Sequence, residues 1–431
     1  MDEAETILEH PEAQALLEQA VLTPQAVVGC KQRLTRFLQR YLPHFYRKEQ
    51  RENATIVIRG LLSSLERKTC EPVAREHGVP RKPIQSFVGS GAWDDEAVMA
   101  ELRLHVMEEL ADEEGALVID PSPFVKKGTE SCGVKRQWCG RLGTIQNCQV
   151  GVFLCYASAR GYAPLDRRLY LPKEWAEDGE RRETGHVPAD VVFLERWRIG
   201  LEMVDRCRAQ GLPHGWVLGD DELGRPSEFR TELRSRSERY ILDVPSNTRI
   251  RDLEARPPRR RRKGRGRQPK LPFVAVSQWL AKQPPSAWVK VSLRPGSKEP
   301  LEVEALTRRV QTKLAKQHVG PEERLLVVRR LEQGKPVTSY SLSNASAEVS
   351  LEQLARAHSH RRQIEQMFEE AKGEAGLGHY EVRSWVGWHH HMTLALVALW
   401  FLLLEKGRGG KKKLPGNYHA AGAGDLLVPV A

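Results

Sequence analysis

The stretch His358-Ser-His-Arg-Arg-Gln-Ile-Glu-Gln-Met-Phe-Glu-Glu-Ala-Lys372 decides how the rest of the chain is interpreted. It lacks glycine and proline and is rich in residues of high helix propensity, which predicts a helix. Four residues share one face of that helix because they are spaced four, three and four apart: Arg361, Glu365, Phe368 and Lys372. One interpretation is a surface helix with ordinary ion pairs. The other is a helix on which Glu365 binds a metal ion and the two cations bind phosphate.

The composition is that of a globular protein with an excess of positive charge. Of 431 residues, 40% are hydrophobic and 29% are charged, and the formal net charge is +11. The length predicts two or three domains, and the charge predicts a polyanionic partner.

Nine of the cations lie in Arg256–Lys270, which contains no acidic residue. Proline and glycine within this run exclude a regular helix. A solvated linker or a localisation signal would have this composition. We favour an arm that follows a DNA backbone, with contacts from Arg259, Arg260, Arg261, Arg262 and Lys263.

Cysteine usage and the apolar segments predict a cytoplasmic protein. The seven cysteines include no C-x-x-C pair, so reduced thiols are expected. The N-terminus begins Met-Asp-Glu-Ala-Glu, without the basic and apolar regions of a signal peptide. The longest apolar run, Leu394–Leu404, is too short to span a bilayer, and no association with a membrane is expected.

The first 110 residues have apolar residues at helical spacing. Within them, residues 73–80 and 84–88 predict a short helix, a glycine turn and a second helix. This outline is typical of a DNA-binding helix-turn-helix. It is equally typical of an ordinary helical hairpin.

The middle of the chain predicts an α/β arrangement with acids at two strand ends. Strands are expected at residues 116–120, 131–140 and 149–157, followed by a helix at 191–210 and a strand at 215–219. The first strand ends at Asp120, and the last is followed by Asp220.

If the first and last of these strands pair in parallel, Asp120 and Asp220 meet at one edge of the sheet. Two close carboxylates repel unless a cation lies between them, and Mg²⁺ suits oxygen ligands. Asp220 is preferred over Asp221 because it directly ends the apolar run, and alternate strand residues point to opposite faces. The simpler interpretation is that each Asp caps a turn or helix.

The remaining segments predict five regions. Residues 239–244 predict a further core strand, and strands recur between residues 287 and 343. We therefore expect a helical DNA-binding region at 1–110, the first part of an α/β core at 111–245, a β-rich insertion with the Arg-rich loop at 246–349, the last part of the core at 350–405, and a loose tail at 406–431.

With these residues placed, the chain resembles bacterial insertion-sequence transposases of the DDE type, which have a ribonuclease-H-like core. Arg361, Glu365 and Lys372 match the signature Y-x2-R-x3-E-x6-K of one large group, and His358 stands where that signature has Tyr. Several segments, in order, resemble the insertion sequence 701 group: residues 120–128, 133–140, 147–152, 168–172 and 216–224. The chain departs from that group at Pro121 and Ser122, where Asp-Thr is common.

The resemblance implies a catalytic triad of Asp120, Asp220 and Glu365 that binds two Mg²⁺ or Mn²⁺ ions. Arg361, Lys372 and His358 would then contact DNA. The implied activity is cleavage of element ends and their joining to target DNA, with double-stranded DNA as partner and a homodimer as the assembly. The alternatives are an inactive DNA-binding relative and a ribonuclease-H-like nuclease without strand transfer.

Overall fold

The computed structural model describes residues 29–256, 271–293, 302–314, 318–332 and 334–408. Five α-helices begin the described chain: α1 Cys30–Tyr41, α2 Lys48–Leu62, α3 Cys70–Glu76, α4 Arg81–Ser90 and α5 Asp95–Leu110. A turn with Gly78 at a φ of 62° joins α3 to α4, a conformation that glycine adopts at little cost. The predicted helix–turn–helix outline is therefore present.

The middle of the chain alternates strands and helices. In order, these are β1 Ala116–Val125, β2 Lys135–Cys139, β3 Thr144–Ser158, β4 Gly161–Leu169, α6 Lys173–Ala176, α7 Gly179–Thr184, α8 Arg196–Ala209, β5 Trp216–Gly219, α9 Asp221–Gly224, α10 Ser227–Ser235 and β6 Tyr240–Asp243.

A second group of strands and four α-helices complete the described chain. They are β7 Arg249–Asp252, β8 Val274–Ala275, α11 Val276–Leu280, β9 Val289–Ser292, β10 Glu302–Lys313, β11 Val319–Glu332, β12 Lys335–Ser343, α12 Leu351–Ser359, α13 Arg361–Gly373 and α14 Trp385–Arg408.

The strands form one mixed, 12-stranded sheet in the order β2-β3-β1-β5-β6-β12-β11-β10-β7-β8, with β4 on β3 and β9 on β10. β1, β5 and β6 are parallel, and β3 is antiparallel to β1. A mixed sheet with flanking helices fits a ribonuclease-H-like core. The later strands extend this sheet, because β12 pairs antiparallel with β6.

Helices cover both faces of the sheet next to β1. On one face, Gly200 of α8 approaches Ile119 so closely that an added Cβ would lie 3.0 Å from its side chain. On the other face, Phe368 of α13 meets Phe153 of β3 edge to face, with ring centroids 5.2 Å apart. This contact holds α13 against that face of the sheet, beside β3.

Two sequence predictions need correction. β1 does not end at Asp120 but continues through Pro121 and Pro123 to Val125. The prolines are tolerated because pairing with β5 stops at Ile119, which leaves that side of β1 an edge without ladder hydrogen bonds.

The stretch 358–372 is also not one helix. It is divided at His360, so that His358 lies on α12 and the other signature residues lie on α13.

Helix α14 is long and apolar enough to cross a membrane. In its most apolar stretch of 18 residues, 89% is buried inside the fold. Its 24 residues exceed the apolar run seen in the sequence. It packs against β4 and against the N-terminal helices α2 and α4. Within the described structure it is a core helix.

Candidate active site

Asp120 and Asp220 lie side by side where the parallel pairing of β1 with β5 stops. The paired residues just before them are Ile119 and Gly219, so the two acids follow at the same level of the sheet. Burial, followed by repulsion from Asp220, raises the pKa of Asp120 well above its ordinary value. The chain thus places two carboxylates where each disfavours the charged form of the other.

For Asp220 the sequence left two interpretations open, a helix cap and a metal-binding acid, and its surroundings are compatible with both. Its Oδ1 accepts hydrogen bonds from the backbone N–H groups of Glu222 (3.1 Å) and Leu223 (3.2 Å), so it caps α9. Burial, together with nearby negative charge, nevertheless raises the pKa of Asp220 to about 6. The neighbouring acids are paired with arginines instead, Asp221 with Arg225 and Glu222 with Arg196.

Glu365 reaches the same edge of the sheet from α13. Ile364, Met367 and Phe368 bury the other side of this helix, which leaves Glu365 facing outward with 47% of its side chain exposed. The negative charge of Glu365 contributes to the raised pKa of Asp120, so the third acid is within electrostatic range of the first.

Arg361 supplies the positive charge among these acids. Its Nη2 lies 3.2 Å from Oε1 of Glu365, one helical turn away. The charge of Arg361 also opposes the upward pKa shifts of Asp120 and Asp220. The guanidinium therefore acts as a countercharge among these acids.

Sequence reasoning missed Asp243. It ends β6, the next parallel strand, and its Oδ2 lies 3.0 Å from Nε of Arg361. Burial alone would raise its pKa, but His358 and Arg361 hold the pKa of Asp243 below its ordinary value. An acid at the end of a third core strand was the available signal, since residues 239–244 were predicted as that strand.

His358 is buried and faces Asp243. Its Nε2 lies 3.0 Å from Oδ1 of Asp243, an oxygen that also accepts a hydrogen bond from Ser341 at 2.6 Å. His358 and Arg361 are therefore held by one carboxylate across the junction of α12 and α13. The expected contact of His358 with DNA stays a prediction.

Lys372 lies further along α13, beside the continuation of β1. Its Nζ donates to Oγ of Ser122 at 2.8 Å and lies about equally far from the rings of Phe124 and Phe368, at 5.1 and 5.3 Å. Ser122 lies on β1, two residues past Asp120, so Lys372 is held beside β1 and close to the acids.

The donor set suits a hard divalent cation in part. Asp120 and Asp220 offer buried carboxylate oxygens with unfavourable mutual repulsion, which Mg²⁺ or Mn²⁺ would relieve. In the described part of the chain, no three acidic, histidine or cysteine side chains are close enough to form a complete metal site. Glu365 would have to leave Arg361 to become the third ligand, and its exposure permits that movement.

A cleft lies beside Arg361, and cations outnumber acids among its charged lining residues. It has a volume of about 700 Å³ and lies between helices α12 and α13 and strands β9, β10 and β11. Its charged lining residues are Lys290, Glu302, Glu304, Arg329, Arg330, Arg361 and Arg362. The Arg-rich segment predicted to bind DNA, Arg259, Arg260, Arg261, Arg262 and Lys263, lies outside the described residues.

Comparison with known proteins shows which family the chain belongs to. Residues 40–312, a range that includes Asp120 and Asp220 and ends before Glu365, match the model of a family described as DDE superfamily endonuclease. The chain is also 27% identical over 191 residues to a probable transposase for insertion sequence element IS701 from Microchaete diplosiphon. That match spans 44% of this chain and 47% of the relative, about half the length of each. The chain belongs to the DDE superfamily of endonucleases.

Proposed function

We propose that this protein is a transposase that cleaves DNA at insertion-sequence ends and joins those ends to target DNA. The observation that carries the proposal is that Asp120 and Asp220 directly follow the last paired residues of two parallel strands, with Glu365 of α13 within electrostatic range of Asp120. The IS701 transposase relative supports the choice of transposition over other nuclease activities.

Asp120, Asp220 and Glu365 would hold Mg²⁺ or Mn²⁺. The bound ions would supply an activated oxygen nucleophile and stabilise the leaving oxygen of a phosphodiester. The protein's own contribution is to hold the two buried carboxylates ready and to release Glu365 from Arg361. Arg361, once released, can bind a phosphate oxygen in the same place, since guanidinium groups suit that geometry.

The remaining cations fit double-stranded DNA as the substrate. Lys372 and the cleft beside Arg361 offer cations near the acids, and the Arg-rich segment would add further phosphate contacts. We propose that the helical region at 1–110 binds the element ends, that the core divided between 111–245 and 350–405 carries the chemistry, and that the insertion at 246–349 contacts DNA. A homodimer on DNA in the bacterial cytoplasm would complete the proposal.

A strand-cleavage assay tests the proposal. The substrate is a duplex carrying the inverted repeats that flank the gene, incubated with Mg²⁺ and a supercoiled target plasmid. The protein should nick its end and transfer it. Asp120→Asn, Asp220→Asn and Glu365→Gln should each lose cleavage by at least about 1,000-fold, a loss on the scale of about 4 kcal/mol, while retaining end binding. Glu369→Gln, an exposed acid of the same helix, is the matched control and should keep full activity.

Two results would overturn the proposal in favour of its rivals. Binding of the end duplex without any nicking by the unmodified protein would identify an inactive DNA-binding relative. Cleavage that never yields joined product would identify a ribonuclease-H-like nuclease.

A further inference from the structure

The hairpin of β2 and β3 exposes a patch of apolar side chains at the edge of the sheet. Trp138 and Ile145 are paired across the two strands, and 62% and 58% of their surfaces are exposed. Leu142, in the connecting turn, is 49% exposed. We define Trp138, Leu142 and Ile145 as the hairpin tip. An apolar patch on an edge strand is a liability unless a partner covers it.

The hairpin tip faces the same side of the sheet as the acids. Asp120 is paired with Phe153, and residues paired in an antiparallel ladder point to the same face. Ile145 lies eight residues before Phe153 on the continuous strand β3, an even number that returns to that face. Trp138 shares the face because it is paired with Ile145.

The distance between the acids and the hairpin tip corresponds to a short piece of duplex. Eight residues of antiparallel strand span about 27 Å at roughly 3.4 Å each. Successive phosphates of one DNA strand are also spaced by about 3.4 Å along the helix axis. The hairpin tip is therefore placed about eight base pairs from a phosphate bound over Asp120.

Positive charge accompanies the apolar side chains along this face. Lys372 lies beside Ser122, the same-face residue after Asp120, and Nζ of Lys126 lies 3.3 Å from the ring centroid of Tyr380. Further along, Arg136 is exposed and makes no ion pair with any residue in the described ranges. The nearby Glu174 is already paired with Lys135.

The hairpin is braced against the end of β1 rather than loosely attached. The backbone N–H of Lys126 donates to the carbonyl of Asn147 at 2.9 Å. The side chain of Asn147 donates back to the carbonyls of Lys126 (3.0 Å) and Gly128 (2.7 Å). A surface fixed in this way can set a distance along a bound duplex.

We infer that the hairpin tip is a DNA-contacting wedge, which meets the minor groove about eight base pairs from the scissile phosphate. Apolar side chains insert between base steps from the minor groove. Base-edge reading needs a set of donors and acceptors, and the indole N–H of Trp138 is the single polar side-chain group among the three residues of the hairpin tip. Arg136 contacts a phosphate beside the wedge. This inference rests on the proposed function only for the identity of the bound phosphate.

Binding and footprinting of Trp138→Ala test the inference. The probe is the same end duplex, and binding is measured by fluorescence anisotropy without divalent metal, so that no cleavage occurs. Trp138→Ala should bind about 10-fold more weakly, the scale of one lost aromatic contact with bases. Hydroxyl-radical protection should disappear about eight base pairs from the cleavage position and persist elsewhere.

Two further variants separate the wedge from general effects. Arg136→Gln should make the plot of log affinity against log salt less steep by about 0.9, because one phosphate contact is lost. Val192→Ala removes an exposed apolar side chain from the loop that precedes α8, on the opposite face of the sheet, and should leave affinity and footprint unchanged.

An unchanged footprint and affinity for Trp138→Ala would overturn the inference. So would a change in the sedimentation of the DNA-free protein without any change in the footprint, because the patch would then be an interface between copies of the chain. If the unmodified protein cleaves while Trp138→Ala has no effect on binding, only the wedge fails. If the footprint changes but no cleavage occurs, only the proposed function fails.

Discussion

At the scale of single residues, the site contains two buried acids whose charged forms are disfavoured by burial and by nearby negative charge. The positive charge of Arg361 partly offsets that effect. Asp120 and Asp220 are buried with raised pKa values, whereas Asp243 is buried with a lowered pKa because its carboxylate contacts His358 and Arg361. The first two acids can relieve their repulsion by binding a cation. Asp243 already has His358 and Arg361 as partners, and it orients Arg361.

The raised pKa of Asp220 predicts that Asp220→Asn stabilises the metal-free protein at neutral pH. The folded-state pKa of about 6 lies above the unfolded value of about 3.9. Between these pH values the folded state binds more protons, so stability falls as the pH rises through the window and stays lowered above it. Urea unfolding at pH 7.5 should show a gain of about 1–3 kcal/mol for the variant.

The gain should shrink below about pH 4, where the aspartate is protonated in both states, and Mg²⁺ should reduce it by stabilising the unmodified protein alone. Asparagine can still cap α9 through its carbonyl oxygen. If the variant were less stable than the unmodified protein at pH 7.5, the folded state would not raise the pKa of Asp220 above its unfolded value.

Asp243 should act through Arg361 and His358 rather than on DNA itself. Asp243→Asn removes the charge that both side chains face, at 3.0 Å each. We expect cleavage to fall by about 10- to 100-fold, as is usual when a residue that orients a metal-site side chain is lost. Affinity for the end duplex should change by less than about threefold, as measured by anisotropy.

Asp243→Glu should restore part of the cleavage rate, because it restores the charge. Equal losses of cleavage and of DNA binding, together with a lower melting temperature, would instead indicate a purely structural role for Asp243.

At the scale of elements, short segments at strand ends set the spacing of the acids. Asp220 caps α9, and α9 packs directly on the end of β6, where a Cβ on Gly224 would lie only 1.9 Å from the carbonyl oxygen of Asp243. The single hydrogen at Gly224 thus allows the ends of β5 and β6 to lie together.

Gly224→Ala should therefore separate these strand ends. We expect a loss of about 3 kcal/mol or more in unfolding free energy, because the obstacle is backbone and cannot rotate away, together with loss of cleavage. Gly373→Ala, at the end of α13, is the matched control because nothing lies within 4 Å of its added Cβ. Native stability in Gly224→Ala would show that α9 can shift freely.

Sequence reasoning found the strand ends better than it found the limits of the elements. The apolar runs before Asp120 and Asp220 were sufficient to place both acids at one edge, since parallel pairing then brings them together. Nothing local predicted the break at His360, because residues 358–372 contain no glycine or proline. Asp243, more than 100 residues earlier, contacts His358 and Arg361 on the two sides of the break. The continuation of β1 through two prolines likewise depends on where its neighbour β5 stops.

At the scale of the whole molecule, the predicted insertion is continuous with the core sheet. Pairing of β12 with β6 makes it so, and Glu323 of β11 accepts hydrogen bonds from Arg230 (3.0 Å) and Tyr240 (2.5 Å) in a buried cluster. The sequence could predict the strands of this region but not their partners, since pairing between distant strands leaves no local pattern.

The uneven charge of the chain predicts a strongly salt-dependent affinity for DNA. Replacing Arg259, Arg260, Arg261, Arg262 and Lys263 with glutamine should make the plot of log affinity against log salt less steep by up to about 4.5, because each phosphate contact contributes about 0.9. Anisotropy titrations between 50 and 300 mM salt, with end and unrelated duplexes, measure the change. An unaltered slope would mean that the loop does not contact DNA.

The most direct test of the central claim is to locate bound metal. Crystals of the protein with its end duplex and Mn²⁺ should show anomalous scattering between the carboxylates of Asp120 and Asp220, with Glu365 turned from Arg361 toward the ion. Density for Mn²⁺ elsewhere, or an unbroken Arg361–Glu365 ion pair with no ion at the two aspartates, would contradict the account.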